Sequence, residues 1–121
     1  MNIEECYHRL GGDYSQVLLR IPSGALVKKF LLKFLADGIY GELSGAMERA
    51  DRDTAFRAAH TLKGVCANLG LEQLRSSASE LTELLRAADT IPSEAAALME
   101  HIREDYRQAV EIIREFEASG Q

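Results

Sequence analysis

The chain has 121 residues, of which 46% are hydrophobic and 27% charged, as expected for one soluble globular domain rather than a disordered protein. The net charge of −5 excludes a domain-wide basic surface for nucleic acid, although a local basic patch can still meet an acidic partner. Cys6 and Cys66 form no CxxC pair, the acidic N-terminus lacks signal-peptide features, and no apolar run reaches the roughly 18 residues of a membrane span. We therefore expect a cytoplasmic protein that binds neither membrane nor nucleic acid.

The N-terminal residues 1–22 predict two short helical pieces. The first runs from about Ile3 to Leu10 and is stopped by the glycine pair at 11–12. Asp13 can cap a second piece that extends to Leu19. We expect these pieces to cap one end of a larger helical bundle.

The first long segment of the predicted bundle runs from residue 25 to residue 50. Ser23 caps a helix over 25–36, the pair Asp37-Gly38 kinks it, and helix resumes over 39–50. We count this stretch as one kinked helix. Its predicted apolar face consists of Leu26, Phe30 and Phe34, widened by Leu31 and Leu35.

Three more amphipathic helices complete the predicted bundle. Asp53 caps a helix over 54–69, which Gly70 ends, and further helices cover 71–86 and about 93–117. The predicted inward positions of the last two helices are Leu74, Ala78, Leu81, Leu85, Leu98, Ile102, Val110, Ile113 and Phe116.

No segment alternates polar and apolar residues as a β-strand would. Four long amphipathic helices joined by short loops predict an all-α fold, an antiparallel up-and-down four-helix bundle over residues 23–118. We expect residues 1–121 to form a single domain.

The helix over 54–69 carries the most informative pattern in the chain. His60, Lys63 and Gly64 stand at i, i+3 and i+4, so they share one face, with Ala67 one turn further. Phe56 and Arg57 flank this face one turn back. At about 100° per residue, the opposite side is apolar and should face the core, which turns His60 toward water. That opposite side consists of Ala55, Ala59, Leu62, Cys66 and Leu69.

Most enzyme signatures are missing from the sequence. It contains no GxxxxGK[ST] phosphate loop, no HExxH and no GxSxG. His8, His60 and His101 are scattered, without the spacing of a metal site, so we expect no metal or other cofactor on this chain. The remaining candidate chemistry is that of an exposed histidine.

An exposed imidazole can act as a nucleophile near pH 7, because its ordinary pKa is about 6.5. Neutral imidazole can accept a phosphoryl group as a phosphoramidate, in a transfer that depends mainly on positioning and on neutralising the phosphoryl oxygens. Lys63 can supply positive charge, and Gly64 leaves room for the phosphoryl group and for an approaching surface. The rest of such a site would have to arrive with a partner.

The stretch His-Thr-Leu-Lys-Gly at 60–64, followed by Ala-Asn-Leu-Gly at 67–70, resembles the HxxKG…LG signature of histidine-containing phosphotransfer (Hpt) domains of multistep phosphorelays. The resemblance spans roughly residues 26–86, about half of the chain. Further similar stretches lie at 34–37, at 55–59 and at Leu74, Ala78, Leu81 and Arg86.

This resemblance implies that His60 is phosphorylated and exchanges the group with an aspartate of response-regulator receiver domains. It implies that magnesium sits on the receiver, that Lys63 assists electrostatically and that Gly64 keeps access open. Family members often place Glu or Gln on the next helix to bond the imidazole; Thr82 stands nearest to that position here. Arg86 is a candidate for added positive charge or partner contact.

The resemblance also implies the partners, which are receiver domains, a hybrid histidine kinase, or both. Phe56, Arg57 and Ala67 are the candidate docking residues. With no ATP-binding kinase domain in the sequence, we expect a monomeric phosphocarrier rather than an enzyme. The alternative is a non-catalytic helical adaptor that binds receiver-like partners without phosphoryl exchange.

Overall fold

The computed structural model describes residues 1–120, and within that range it contains seven α-helices and no β-strand, which confirms the all-α prediction. The helices are α1 (Ile3–Leu10), α2 (Tyr14–Leu18), α3 (Gly24–Ala36), α4 (Ile39–Glu48), α5 (Arg52–Leu69), α6 (Glu72–Arg86) and α7 (Ala95–Ala118).

The helix that carries the HxxKG stretch, α5, lies between α4 and α6 and packs against both. In turn, α6 packs against α7, and α7 also contacts α1 and α3. The predicted stripe of α6 is buried at all four of its positions. In α7, Ile102, Ile113 and Phe116 are buried, whereas Leu98 and Val110 are only half-buried.

The segment over residues 25–50 is two helices rather than one kinked helix. Asp37 has an extended backbone (ψ 137°), and its carboxylate accepts a hydrogen bond from the Ile39 amide at 2.8 Å. This bond satisfies an amide in the first turn of α4, so the chain starts a new helix instead of bending an old one. The second helix ends at Glu48, two residues before the predicted end.

The apolar face predicted for α3 is wrong at two positions. Val27, Leu31 and Phe34 form the buried stripe, whereas Leu26 and Phe30 are each 38% exposed. The helix is apolar around much of its circumference, so its pattern alone did not decide which side faces inward. Packing against α7 and α5 selects the side that carries Val27.

The N-terminal cap of α5 is Asp51 and not Asp53. The Asp51 carboxylate accepts a hydrogen bond from the Thr54 amide at 3.1 Å, and the helix begins at Arg52. Asp53 lies in the first turn, exposed, where it forms an ion pair with Arg52. The helix therefore starts two residues earlier than predicted and carries one more arginine.

The other end of α5 is closed as predicted. Gly70 adopts a left-handed conformation (φ 70°), and a Cβ at this position would lie only 2.6 Å from Val17 Cγ2. Two N-terminal side chains also reach this end: the Tyr7 hydroxyl donates to the Leu69 carbonyl at 2.7 Å, and Arg20 donates to the Ala67 carbonyl at 3.0 Å. The N-terminal helices thus cover the carbonyl end of α5.

The five residues predicted to form the core side of α5 are all buried. Cys66 is one of them, and it is a free thiol, as is Cys6 in α1. Burial raises the pKa of the Cys66 thiol from 9.0 to about 12.

Within residues 1–120, no helix is both long enough and apolar enough to cross a bilayer.

Candidate functional site

His60 is exposed on the outer face of α5, as the helical phase predicts. Its chain neighbour Ala59 and the next core residue, Leu62, are almost completely buried. No hydrogen bond or ion pair within residues 1–120 involves the imidazole. The ring is therefore open to solvent and to any molecule that approaches this face.

Lys63 and Gly64 lie beside the imidazole on the following turn. Lys63 is half-buried and Gly64 is exposed. A Cβ added at Gly64 would meet no atom within 4 Å, so the packing of this chain does not require glycine there. A glycine inside a helix costs about 1 kcal/mol relative to alanine, so the protein accepts a loss that its own fold does not explain.

The nearest ring to His60 is Phe56, one turn toward the start of α5. The two ring centroids are 6.2 Å apart and the planes are tilted by 40°. The guanidinium carbons of Arg52 and Arg86 each lie 5.0 Å from the Phe56 ring centroid, within the range of cation–π contacts. Phe56 is therefore held by two cations and borders the imidazole, and it is only half-buried.

Arg52 is a residue that the sequence reasoning missed. Its guanidinium donates to the Leu85 carbonyl at 2.6 and 2.9 Å and to the Arg86 carbonyl at 3.3 Å, at the negative end of the α6 dipole. Arg52 stands four residues before Phe56 on the same face, which is a detectable signal. A helix that begins at Thr54, as the sequence predicts, leaves Arg52 outside α5.

The structure brings Arg86 to the neighbourhood of the site and leaves Thr82 out. Arg86 is exposed, contacts Phe56 and forms an ion pair with Glu83 at 3.4 Å. Thr82 is fully buried, and its hydroxyl donates to the Ala78 carbonyl at 2.7 Å. It lies on the buried stripe of α6, so it does not hydrogen-bond the solvent-facing imidazole.

The remaining candidate docking residues lie on both sides of His60 along α5. Arg57 is exposed and Ala67 is half-buried. The Ala67 carbonyl accepts the hydrogen bond from Arg20, so the N-terminal segment reaches the carbonyl end of α5. The other two histidines, His8 on α1 and His101 on α7, are exposed.

The exposed imidazole of His60 has several cationic side chains on or beside its face. Arg52, Arg57, Lys63 and Arg86 all lie on or beside the His60 face, and within residues 1–120 no group of three or more histidine, cysteine, aspartate or glutamate side chains could hold a metal ion. An incoming anion such as a phosphoryl group would find an accessible ring nitrogen and nearby cations.

The sequence model of the Hpt domain family matches residues 33–115, more than two thirds of the chain. The chain therefore belongs to the Hpt domain family. Hpt domains are phosphocarrier modules of two-component phosphorelays, not kinases, and interact with response-regulator receiver domains and kinases. Comparisons with curated proteins and with solved structures returned no match.

Proposed function

We propose that this protein is a phosphocarrier that accepts a phosphoryl group on His60 and exchanges it with the aspartate of response-regulator receiver domains. The observation that carries the proposal is the exposed imidazole, without a hydrogen-bond partner in residues 1–120, beside Lys63 and the open surface at Gly64. Membership of the Hpt family supports the same reaction class.

In the forward step, an unprotonated ring nitrogen of His60 attacks the phosphorus of the receiver's aspartyl phosphate. A P–N bond forms while the P–O bond to the aspartate breaks, and the carboxylate leaves with the electron pair. The phosphoimidazolium returns to neutrality by losing its N–H proton to water. Transfer back to a receiver reverses these steps.

Lys63 supplies positive charge to the phosphoryl oxygens, and Gly64 admits the partner surface. Arg86 adds charge when it leaves Glu83, while Phe56, Arg57 and Ala67 contribute to docking. We propose that magnesium is bound by the receiver and neutralises the transferring group there, so that this chain carries no cofactor of its own. Receivers, a hybrid histidine kinase, or both are the proposed partners.

We further propose that residues 1–121 form one Hpt domain that acts as a cytoplasmic monomer. In this arrangement the antiparallel four-helix bundle consists of α4, α5, α6 and α7. The separate helix α3 precedes α4 in the chain and belongs to the same long segment. The helices before residue 23 cap the end of α5 that Gly70 closes.

The test is transfer of radiolabelled phosphate from the source organism's phosphorylated receiver domains to this protein. The wild-type protein should take up a label that is labile to acid and stable to base. His60→Gln should abolish the uptake, whereas His8→Gln and His101→Gln, which change equally exposed histidines, should not. Uptake by the His60→Gln protein would disprove the assignment.

The alternative function is that of an adaptor that binds receiver-like partners without exchange. The open surface around Gly64 favours it, since such a surface suits docking with or without chemistry. This function predicts partner binding that survives His60→Gln and no label on the wild-type protein.

A further inference from the structure

The imidazole of His60 has no hydrogen bond within residues 1–120 that fixes its orientation. Thr82, on the neighbouring helix, donates to the Ala78 carbonyl at 2.7 Å instead. A histidine on a helix can adopt two χ1 rotamers and two orientations about χ2, about four arrangements in all. Because phosphoryl transfer depends on positioning, an imidazole that samples all of them presents its ring nitrogen correctly for only part of the time.

Phe56 is the side chain that packs beside the imidazole. It stands one turn before His60 on α5, and the two ring centroids are 6.2 Å apart with planes tilted by 40°. This separation is typical of aromatic pairs in contact. Side chains on an α-helix lean toward its N-terminus, so the imidazole lies over the turn that carries Phe56. Phe56 therefore occupies one side of the space in which the imidazole would otherwise turn.

Phe56 is itself held in place by cations from two helices. The guanidinium carbons of Arg52, from α5, and Arg86, from α6, each lie 5.0 Å from the centroid of its ring. Such contacts attract a cation to the face of an aromatic ring. The core covers Phe56 only in part, since its side chain is half-buried. The two arginines thus supply contacts that the core does not.

Arg52 is the more firmly fixed of these two cations. Its guanidinium donates to the Leu85 carbonyl at 2.6 and 2.9 Å and to the Arg86 carbonyl at 3.3 Å, and it pairs with Asp53 at 3.1 Å. Its side chain is 22% exposed, against 53% for Arg86, whose ion pair with Glu83 spans 3.4 Å. Arg52 therefore ties the start of α5 to the end of α6.

We propose that Phe56 is a positioning residue for phosphoryl transfer at His60 and that Arg52 holds Phe56 in place. Contacts run from the carbonyl groups at the end of α6 through Arg52 and Phe56 to the imidazole. The Phe56 ring excludes some arrangements of the imidazole by occupying their space, and so orients it by packing rather than by a hydrogen bond. The role in transfer rests on the proposed function, whereas the orientation of the imidazole does not.

The first test measures single-turnover phosphoryl transfer from a phosphorylated receiver domain at increasing receiver concentration. Phe56→Ala should lower the maximal rate constant about four-fold, because the imidazole regains the arrangements that the ring excludes. Phe56→Tyr keeps the ring and should retain the wild-type maximal rate. Loss of a docking contact would instead raise the half-saturating receiver concentration and leave the maximal rate unchanged.

Arg52→Gln tests the anchor separately from docking, because the guanidinium is mostly covered and bonded to the end of α6. Its maximal rate should fall about two-fold, since Arg86 still contacts Phe56, and its half-saturating receiver concentration should not change. The matched control is Arg75→Gln, which removes the same charge from an arginine paired with Glu72. Arg75 stands about 16 Å before Arg86 along α6, so its variant should keep the wild-type rate.

A further control separates positioning from stability. Ile112→Ala removes part of a half-buried apolar side chain from α7, the helix that packs on the other side of α6. It should lower the urea midpoint and leave the maximal rate unchanged. A four-fold loss of rate in Phe56→Ala is then a local effect on the imidazole and not a consequence of a less stable fold.

The second test measures the orientation of the imidazole in the unphosphorylated protein by NMR spectroscopy. Three-bond couplings give the populations of the χ1 rotamers of His60. One rotamer should predominate in the wild-type protein and in Phe56→Tyr, whereas two should be populated in Phe56→Ala. Arg52→Gln should lie between these limits. A purely structural role of Phe56 would lower stability without changing the rotamer populations.

A wild-type maximal rate in Phe56→Ala would overturn the inference, whichever rotamers the spectra show. So would a higher half-saturating receiver concentration as the only change in this variant, since Phe56 would then be a docking residue alone.

Failure of the positioning role and failure of the proposed function give different results. If receivers label the wild-type protein and both the Phe56→Ala and Arg52→Gln proteins transfer at its maximal rate, only the positioning role is wrong. If no receiver labels the wild-type protein, the proposed function fails, and the role of Phe56 in transfer fails with it.

Discussion

The residues around His60 leave the imidazole accessible and do not hold it by hydrogen bonds. The imidazole is exposed and has no hydrogen-bond partner within residues 1–120. Thr82, the candidate support, is buried and bonded to Ala78. Within residues 1–120, the only ring beside the imidazole is Phe56, held between Arg52 and Arg86. What distinguishes His60 is therefore open space and positive charge around an imidazole that no hydrogen bond within residues 1–120 constrains.

Substitutions of Gly64 test whether the glycine lowers the stability of α5 while keeping the imidazole of His60 accessible to a partner. Gly64→Ala should raise the free energy of unfolding by about 1 kcal/mol, because the helix gains a better former and the methyl group meets open space. Gly64→Leu should slow phosphotransfer at least ten-fold while leaving the helical circular dichroism unchanged. Normal transfer by the Leu variant would show that the open surface does not serve access.

Lys63 is expected to matter for transfer and not for folding. Lys63→Ala should slow phosphoryl exchange by about ten-fold, because one cation near the transferring oxygens is lost. Its urea midpoint should stay close to that of the wild type, since a lysine on a helix face without an ion pair contributes little stability. Lys63→Arg should recover part of the rate. An unchanged rate of phosphoryl exchange in Lys63→Ala would show that Lys63 takes no part in the transfer.

The variant Thr82→Val tests whether Thr82 orients the imidazole of His60 or only stabilises α6. Since the hydroxyl donates within α6 and does not reach His60, the substitution should leave the transfer rate within two-fold of the wild type. Loss of one buried hydrogen bond should lower the free energy of unfolding by about 1 kcal/mol or less. A large loss of rate without loss of stability would restore Thr82 to the site.

Among the helices, the endings of α4 and α5 follow the same pattern with different residues. After α5, Gly70 is left-handed and the Leu71 amide donates to the Cys66 carbonyl at 2.9 Å. After α4, Ala50 takes the equivalent position with φ 56°, and the Asp51 amide donates to the Ala46 carbonyl at 2.9 Å. The second ending uses a residue that the left-handed conformation disfavours.

This pair of endings predicts opposite effects of glycine and alanine. Ala50→Gly should raise the free energy of unfolding by about 0.5–1 kcal/mol, because the strain of a Cβ at positive φ is removed. Gly70→Ala should lower it by more than about 1 kcal/mol, since the new Cβ is strained and also lies 2.6 Å from Val17 Cγ2. Urea unfolding followed by circular dichroism measures both. Destabilisation by Ala50→Gly would contradict the geometry of this turn.

Across the whole molecule, the two buried thiols report on the integrity of the core. Burial raises the pKa of Cys6 from 9.0 to about 11 and that of Cys66 from 9.0 to about 12. Folding therefore favours the protonated thiols, and this contribution is complete below pH 9. It is lost progressively as the pH rises through 9 toward 12, where the unfolded chain ionises first.

The free energy of unfolding should thus fall with rising pH above 9. Cys66→Ala should show a shallower fall over the same range, since it lacks one of the two thiols. At pH 8, a thiol reagent should leave both cysteines of the native protein unmodified and react with both in concentrated urea. Rapid modification of the native protein at pH 8 would show that the core around α1 and α5 is open.

The local features of α5 were predictable because they follow from one helix considered alone. Its core side and the outward direction of His60 depend on the 100° turn per residue, and the Gly70 ending depends on backbone conformation. Features that need a second element were predicted less well. The sequence placed the cap at Asp53 and missed Arg52, whose bonds to Leu85 and Arg86 come from a different helix.

Sequence alone determined that the chain is helical and that His60 faces outward with Lys63 and Gly64, because helical periodicity is a local property. The resemblance to the Hpt family was also visible in the sequence, because it rests on the residues at 60–70. Only the tertiary structure decided that α3 turns Val27 inward and leaves Phe30 exposed, that Thr82 is buried, and that Arg20 joins the N-terminal segment to the carbonyl end of α5. Those outcomes depend on how helices pack against one another, and an apolar pattern that surrounds most of a helix leaves that choice to its neighbours.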